Sequence, residues 1–286
     1  MSLPSTVRSA LALSRSALCD QSDSPNLDGQ LLLSQVLERP RAWLLAHPES
    51  KIEKQDSLQF LNLLDRCVRG EALPHVLGWW EFYGRRFRLN GSVLIPRPET
   101  ELMVDAALEH LERYSRPMIA LDVGTGSGCV AITLAREVSE LRIYATDLSM
   151  EALNIAQTNV SIHSVDHTVR LICADLVSPI SLSRGFDLVC ANLPYIPEGG
   201  MDKLQVSKRE PRIALDGGKD GLSLIRRLLD SLPQLLAKRG RALLEIGYEQ
   251  AESVLQYVED GLAGYRAEVR ADLAGLHRLV VVDRWE

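Results

Sequence analysis

The sequence predicts an α/β domain around a mostly parallel sheet, preceded by a small helical unit and a β-hairpin linker. Three observations carry that prediction. From about residue 117 onward, short apolar strand segments alternate with helical ones, as a parallel sheet covered by helices requires. Up to about residue 75, apolar side chains recur at helical spacing. Between the two lies an aromatic segment, Trp79 to Ile95, that alternates in strand fashion. With 286 residues there is chain enough for about two domains. A content of 46% hydrophobic and 24% charged residues excludes a mainly disordered protein.

In the helical unit, Val7, Ala10, Leu11 and Leu18 mark one helix, and Phe60, Leu61, Leu64 and Val68 another. Gly70 supplies a C-cap to the latter and Pro74 a stop. A third apolar stretch, Leu31 to Leu37, has Asp28 near its start as a cap. No polar residues here form a reaction centre, so the unit reads as a docking module or as a stabilising cap on the second domain. In the aromatic segment, Asn90-Gly91 is the turn signal. The strand candidates that follow are Met118–Val123, Ile143–Asp147, Val169–Ala174, Phe186–Ala191, Ala242–Ile246 and Leu279–Val282. Helices are predicted over Cys129–Val138 and Met150–Asn159. The domain limits are 1–75, 76–100 for the hairpin linker and 101–286.

Charge and cysteine usage narrow the function. The net charge is −6, against the positive domain that counterion release demands of most nucleic-acid binders. Five widely spaced cysteines with no CxxC pair suggest neither a disulfide framework nor a zinc site, and no metal is expected. Arg8 and Arg15 interrupt the apolar run at the N-terminus, which makes a poor signal peptide. No stretch reaches the ~18 apolar residues of a membrane span. A soluble, cytoplasmic protein is expected.

The strongest local signal is Asp122-Val123-Gly124-Thr125-Gly126-Ser127-Gly128, which follows a strand and opens a helix. Glycines allow a tight turn and close approach to a ligand, and the helix start presents free N–H groups. Asp147 ends the next strand, 19 residues after Gly128, close to the spacing of ~20 at which an acid reaches a ribose hydroxyl. By itself Asp147 would read as a cap for the helix from Met150. A further acid, Asp175, follows the third strand and suits an adenine amino group, although a solvated turn would place it equally well. Dinucleotides and S-adenosylmethionine both fit this unit. The DxGxGxG form and its mid-chain position resemble the class I S-adenosylmethionine-dependent methyltransferases more than nicotinamide dehydrogenases.

Strand Phe186–Ala191 then runs into Asn192-Leu193-Pro194-Tyr195. An Asn at the C-terminal edge of a strand sits where ligands bind in open α/β sheets. The Asn192 side-chain carbonyl and a backbone carbonyl near Pro194 offer two acceptors, and Tyr195 adds a flat ring. Two acceptors can hold both hydrogens of a planar –NH2 group while its nitrogen attacks a methyl sulfonium in line, and an aromatic face steadies the cationic transition state. No strong general base is needed.

Together these motifs resemble the HemK/PrmC family, protein-(glutamine-N5) methyltransferases that modify the glutamine of the GGQ motif in class 1 peptide chain release factors. The match runs through Glu81-Phe82-Tyr83-Gly84, Ile95 to Glu101, Asp122 to Gly128 and Asn192 to Tyr195. It continues with Glu210-Pro211, Ala214-Leu215, Gly217-Gly218, Asp220-Gly221, Glu245-Ile246-Gly247 and Asp272 to Gly275, and covers nearly the whole chain. The resemblance implies a Rossmann-like, mostly parallel seven-stranded sheet and an N-terminal helical unit that helps to dock the release factor. It further implies that Gly124, Thr125, Gly126, Ser127 and Gly128 line the methionine end of S-adenosylmethionine, that Asp147 holds the ribose, and that Asp175 and Leu176 bracket the adenine. Asn192, Leu193, Pro194 and Tyr195 would hold the target amide, with Asn192, Pro194 and Tyr195 catalytic and Asn192 also touching the cofactor. Arg97, Glu99 and Glu101 would border the same pocket, or simply favour the dipole of a helix start.

Leu193 stands where the family's tetrapeptide usually has proline. Asn-Leu-Pro-Tyr also resembles the motif of ribosomal RNA adenine-N6 dimethyltransferases, which keeps adenine-N6 methylation of RNA or DNA as an alternative. A sister family that methylates a glutamine of ribosomal protein L3 has Pro-Arg-Ser-Pro-Ile where Pro96 to Thr100 read Pro-Arg-Pro-Glu-Thr, which favours the release factor. The expected partners are class 1 release factors through their GGQ loop, with no membrane, no direct nucleic acid and a monomeric state.

Overall fold

Apolar residues at helical spacing build the first of two units into which the chain divides, Met1–Trp79 and Trp80–Glu286. The computed structural model describes residues 3–114, 116–178, 180, 183–203 and 209–285. In the first unit, helices α1 (Val7–Ala17), α2 (Pro25–Leu37), α3 (Arg41–Ala46), α4 (Lys54–Val68) and α5 (Leu73–Leu77) enclose Val7, Ala10, Leu32, Leu33, Leu44, Phe60 and Leu64. Thr6 and Ser9 form a reciprocal capping box at the start of α1. Two local expectations change. Asp28 is not the cap of α2 but lies within its first turn. Pro25 starts that helix, its missing N–H falling where no intrahelical partner exists. Gly70 does take the left-handed conformation just past α4, with φ of 94°, yet Pro74 begins α5 rather than only stopping α4.

At the start of the second unit, strands β1 (Trp79–Phe82, whose first residue closes the first unit) and β2 (Arg85–Arg88) form the hairpin. Its turn is Tyr83-Gly84, not Asn90-Gly91. Both central residues have positive φ, 50° and 68°, as a two-residue turn matched to strand twist requires. Glu101 Oε1 accepts the Tyr83 N–H at 2.7 Å and so holds a tyrosine in a conformation that favours glycine. Asn90 and Gly91 form a separate turn after β2, where Asn90 Oδ1 accepts the Ser92 N–H.

The elements that follow are α6 (Glu101–Leu111), β3 (Met118–Val123), α7 (Cys129–Glu137), β4 (Leu141–Asp147), α8 (Met150–Ile162), β5 (Val169–Cys173) and β6 (Phe186–Ala191). They are completed by α9 (Ser223–Leu235), β7 (Leu236–Glu245), α10 (Ala251–Gly261), β8 (Tyr265–Ala271) and β9 (His277–Arg284). The seven strands β3 to β9 lie in the order β5-β4-β3-β6-β7-β9-β8, parallel except for β9, which runs antiparallel to both β7 and β8. Sequence patterning missed β8, an edge strand that carries Arg266, Glu268 and Arg270 on partly exposed faces.

Alternation along β3 serves both faces of the sheet. Met118 and Ala120 pack with α6 and α7 residues such as Val104 and Ile132, whereas Leu121 and Val123 pack with Leu228 of α9 and Val254 of α10. The chain leaves β3 toward β4 and β5, then returns on the other side to β6 and β7. The C-terminal ends of β3 and β6 therefore flank a topological switch point, where open α/β sheets bind ligands. Among the described residues no helix is long and apolar enough to cross a membrane.

Candidate functional site

A cleft opens at that switch point. It is lined by the loop after β3, the ends of β4 and β5, and Asn192 to Pro194 after β6. Each wall can be traced to a local cause. The loop from Asp122 to Gly128 is held from within: Thr125 Oγ1 donates to Asp122 Oδ2 at 2.6 Å, and the Ala131 N–H of α7 donates to the same oxygen at 3.3 Å. Burial pushes the Asp122 carboxyl up to about 6, against both of those bonds. At Gly126, with φ of 54°, a Cβ would meet nothing within 4 Å, so the absent side chain leaves cleft space free for a ligand. At Gly124 a Cβ would come within 3.1 Å of Leu193 Cδ2, so the loop and the Asn-Leu-Pro-Tyr segment pack directly on each other.

Asp147, at the end of β4, accepts the Gly126 N–H through Oδ2 at 2.8 Å and the Ser149 N–H through Oδ1 at 2.9 Å. The cap of α8 is Ser149, whose Oγ accepts the Ala152 N–H. Asp147 is thus not consumed as a helix cap. Each of its oxygens keeps a lone pair, and the residue lines the cleft. Burial raises its pKa, opposed by the backbone N–H groups of Ser149 and Gly126. Asp175 and Leu176 also reach the cleft wall. Asp175 Oδ2 is paired with Arg227 of α9 at 2.7 Å, both side chains being half exposed, and Leu176 sits at φ of 53°.

Asn192 leaves β6 and donates through Nδ2 to Thr100 Oγ1 at 3.1 Å. Thr100 in turn donates to Glu245 Oε2, at the end of β7, at 2.7 Å. The Tyr195 hydroxyl lies 3.5 Å from the other oxygen of Glu245. Burial, then the neighbouring Glu245, pushes the Tyr195 phenol up to about 12, so it stays protonated near neutrality. Leu193 is 3% exposed and belongs to the core behind the cleft. The Pro194 carbonyl lies 2.7 Å from where a Cβ of Gly217 would stand, and the Tyr195 carbonyl 2.2 Å from that of Gly221. Close approach to these two carbonyls thus gives the glycines of the 217–221 turn their reason. Gln250 Nε2 also donates to the Tyr195 carbonyl, at 2.9 Å.

A second cavity adjoins the first. Leu94, Asn192, Leu193, Pro194 and Ala214 line both, while Arg97, Tyr195 and Ile196 belong to the second one alone. Of the acids and base singled out near Pro96, Arg97 reaches this cavity, ion-paired with the buried Glu210. Glu210 also accepts the Ile95 N–H at 2.9 Å. Glu99 is exposed and Glu101 is spent on the hairpin turn, and neither lines these two cavities; Thr100 between them lines the main cleft. No local sequence signal marks Thr100 and Glu245 as a pair. Each sits inside a recognised motif, but no spacing rule joins two residues 145 apart.

The residues suit a nucleoside with a charged amino-acid tail. Asp147 offers a carboxylate to a vicinal diol, Leu148, Leu176 and Leu224 offer apolar walls, and Gly126 leaves open space. Residues 9–78 match the model of the PrmC N-terminal domain, and residues 100–209 that of the methyltransferase small domain. The release factor glutamine methyltransferase of Koribacter versatilis is 39% identical over 260 residues, 90% of this chain and 91% of that protein. The protein of the same name from Coxiella burnetii is 38% identical over 264 residues, 92% of this chain and 93% of that one. Among solved structures, a ribosomal protein L11 methylase from Lactobacillus delbrueckii superposes with a TM-score of 0.51 at 19% identity, over 70% of this chain and 86% of that one. A methyltransferase from Pyrococcus furiosus does so with a TM-score of 0.51 at 16% identity, over 79% and 99%. At those identities the two structures share the fold alone.

Proposed function

The chain belongs to the release factor glutamine methyltransferase family, and from that premise we propose that it methylates the side-chain amide N5 of the glutamine in the GGQ motif of class 1 peptide chain release factors. S-adenosylmethionine is the methyl donor in this reading, with its ribose on Asp147, its adenine between Asp175 and Leu176 and its methionine end along Gly124 to Gly128. When bound it supplies an electrophilic methyl group on a positively charged sulfur.

The observation that carries the reading is the seam between the two cavities. Asn192, Leu193 and Pro194 line both, so a cofactor in the main cleft and an amide in the cavity beside it would meet at Asn192. The hydrogen bond from Asn192 Nδ2 to Thr100 leaves Asn192 Oδ1 to accept an N–H of the target amide. Held there, the amide nitrogen can turn its lone pair toward the methyl carbon as conjugation with its carbonyl is lost. Tyr195, protonated and fastened through its carbonyl to Gln250, offers a ring face to the developing positive charge. Once methylated, the nitrogen is acidic enough to lose its extra proton to water, so no base is assigned.

Charge also supports a protein substrate over a nucleic acid. Among the described residues of the main cleft the ionisable groups with formal charge are Asp122, Asp147 and Asp175, with no lysine or arginine. Arg97 of the adjoining cavity is paired with Glu210. We read the first unit as the part that docks the release factor, and the enzyme as a cytoplasmic monomer. The test is transfer of labelled methyl from S-adenosylmethionine to a purified, unmodified release factor, with a Gln→Ala change in its GGQ loop as control. Label on the wild-type factor that is absent from the control is the expected result. Label on both would move the site off the GGQ glutamine, and label on RNA alone would overturn the reading.

A further inference from the structure

We infer that Thr100 and Glu245 are positioning residues for methyl transfer, because together they fix the Asn192 amide with its oxygen, not its nitrogen, toward the target group. This rests on the reading of the cleft given above. The two ends of an asparagine amide have nearly the same shape, so only hydrogen bonding decides which faces the substrate. Facing the wrong way, Asn192 would present a donor to the two N–H donors of a glutamine amide.

The chain of donors is directional. Thr100 Oγ1 gives its one proton to Glu245 Oε2 at 2.7 Å and keeps only lone pairs for Asn192, whose Nδ2 stands 3.1 Å away. Both relay residues are buried, at 3% and 2% exposure, so the bond between them is shielded from water. A buried carboxyl is costly, and an apolar residue at the end of β7 would serve the core as well. What Glu245 adds, when ionised, is an acceptor that cannot donate, and that is what sets the direction of the threonine hydroxyl.

The same logic makes the relay sensitive to protonation. Around Glu245 stand the hydroxyls of Thr100 and Tyr195, the guanidinium of Arg278 on β9, the carboxylate of Glu99 before α6 and the thiol of Cys129 on α7. Burial pushes Glu245 up to about 7, against the Thr100 bond and Arg278 and with a smaller push from Glu99. Ionised, Glu245 accepts only, and the relay has one direction. Protonated, it can donate to Thr100, whose hydroxyl is then free to turn to Asn192 Oδ1 and admit the flipped amide. The ionised form is the active one, so kcat rises as pH climbs through the Glu245 titration.

Two measurements test this in the full-length enzyme. In the first, Thr100→Val lowers kcat on the release factor by ~10- to 100-fold while KM for S-adenosylmethionine stays within ~3-fold. Thr100→Ser, which keeps the hydroxyl, recovers kcat to within ~3-fold of wild type. Glu245→Gln lowers kcat and removes the rise across neutral pH. Equal losses in Thr100→Val and Thr100→Ser, or a wild-type kcat in Thr100→Val, would overturn the relay. The second measurement needs no substrate. The side-chain amide signals of Asn192 in ¹⁵N-asparagine-labelled enzyme, assigned by their loss in Asn192→Ala, should titrate across neutral pH in wild type. In Glu245→Gln that titration should be absent. If wild-type enzyme puts no label on the release factor, the substrate assignment has failed and the amide signals alone judge the relay; signals that ignore both pH and Thr100→Val would refute it.

Discussion

Asp147 and Asn192 line one cleft but are expected to fail differently when changed. Asp147→Ala removes a charged acceptor from the cofactor's side, so its dissociation constant measured by calorimetry should rise ~10- to 100-fold, the worth of one or two hydrogen bonds to a charged group. Because Asp147 also accepts the Gly126 and Ser149 N–H groups, Asp147→Asn separates the two roles: it keeps one acceptor for the loop and loses the charge. Asn192→Ala should leave cofactor affinity nearly unchanged while methyl transfer falls ~100-fold or more, as for loss of a transition-state hydrogen bond. Unchanged affinity in both Asp147 variants would remove the acid from the cofactor's grip. A second residue-scale prediction concerns His110, whose Nε2 stands 3.1 Å from the Asp187 carbonyl. Burial, then Arg241, pushes the imidazole down to about 4. The unfolded chain, with a pKa near 6.5, takes up a proton before the folded one does. Stability from the neutral ring is therefore complete above about pH 6.5 and is lost as pH falls toward 4, by about 3 kcal/mol. Asp122 and Glu245 shift upward and act in the opposite sense, so the signature lies in a difference. The urea stability gap between wild type and His110→Gln should shrink from pH 7.5 to pH 4.5. A gap that stays constant would mean that the ring accepts its proton without cost.

At the scale of elements, the crossing of α1 and α2 makes a prediction opposite in sign to helix propensity. An alanine in place of a mid-helix glycine ordinarily stabilises by about 1 kcal/mol. Gly29 of α2, however, faces the buried Ser14 of α1, and a Cβ there would lie 2.0 Å from Ser14 Oγ and 2.8 Å from Ser14 Cβ. A rotamer change relieves only the first clash, so the helices must move apart, and Gly29→Ala should lower stability by about 1–3 kcal/mol. Combining it with Ser14→Gly should recover part of that loss in a double-mutant cycle followed by thermal unfolding. An alanine variant more stable than wild type would show that the crossing is loose. The elements themselves were unequally legible. Leu279 to Val282 announce β9 because the strand is buried, whereas its neighbour β8 sits at the edge with three charged residues and pairs on one side only. The position of the hairpin turn escapes local pattern for a related reason. Asn90-Gly91 is the stronger local signal, but the turn at Tyr83-Gly84 is stabilised by Glu101, a contact 18 residues away.

Over the whole molecule, what could be read in advance was contiguous. The glycine loop, Asp147 at a strand end and Asn192 to Tyr195 each carry their meaning within a few residues, and the sheet order brings them to one edge. The relay through Thr100 and Glu245 depends on two elements meeting, which no local pattern records. The role of the helical unit is likewise not local, since its residues suit either a docking module or a stabilising cap. The division of the chain after Trp79 gives a way to decide. All described residues of the main cleft lie between Ser92 and Leu224, inside the second unit. The hairpin's second strand is fastened there by the buried Asn159, which accepts the Arg88 N–H at 2.7 Å and donates to the Ser127 carbonyl at 2.8 Å. A chain that begins at Trp80 should therefore bind S-adenosylmethionine within ~3-fold of the full-length affinity, a difference below 1 kcal/mol. If the helical unit docks the release factor, the truncated enzyme should keep kcat at saturating substrate while KM for the release factor rises ~10-fold or more, since uniform binding energy alone is lost. If the unit is a stabilising cap, KM should hold while cofactor affinity and thermal stability fall together. The docking assignment predicts the first pattern, and the second would replace it.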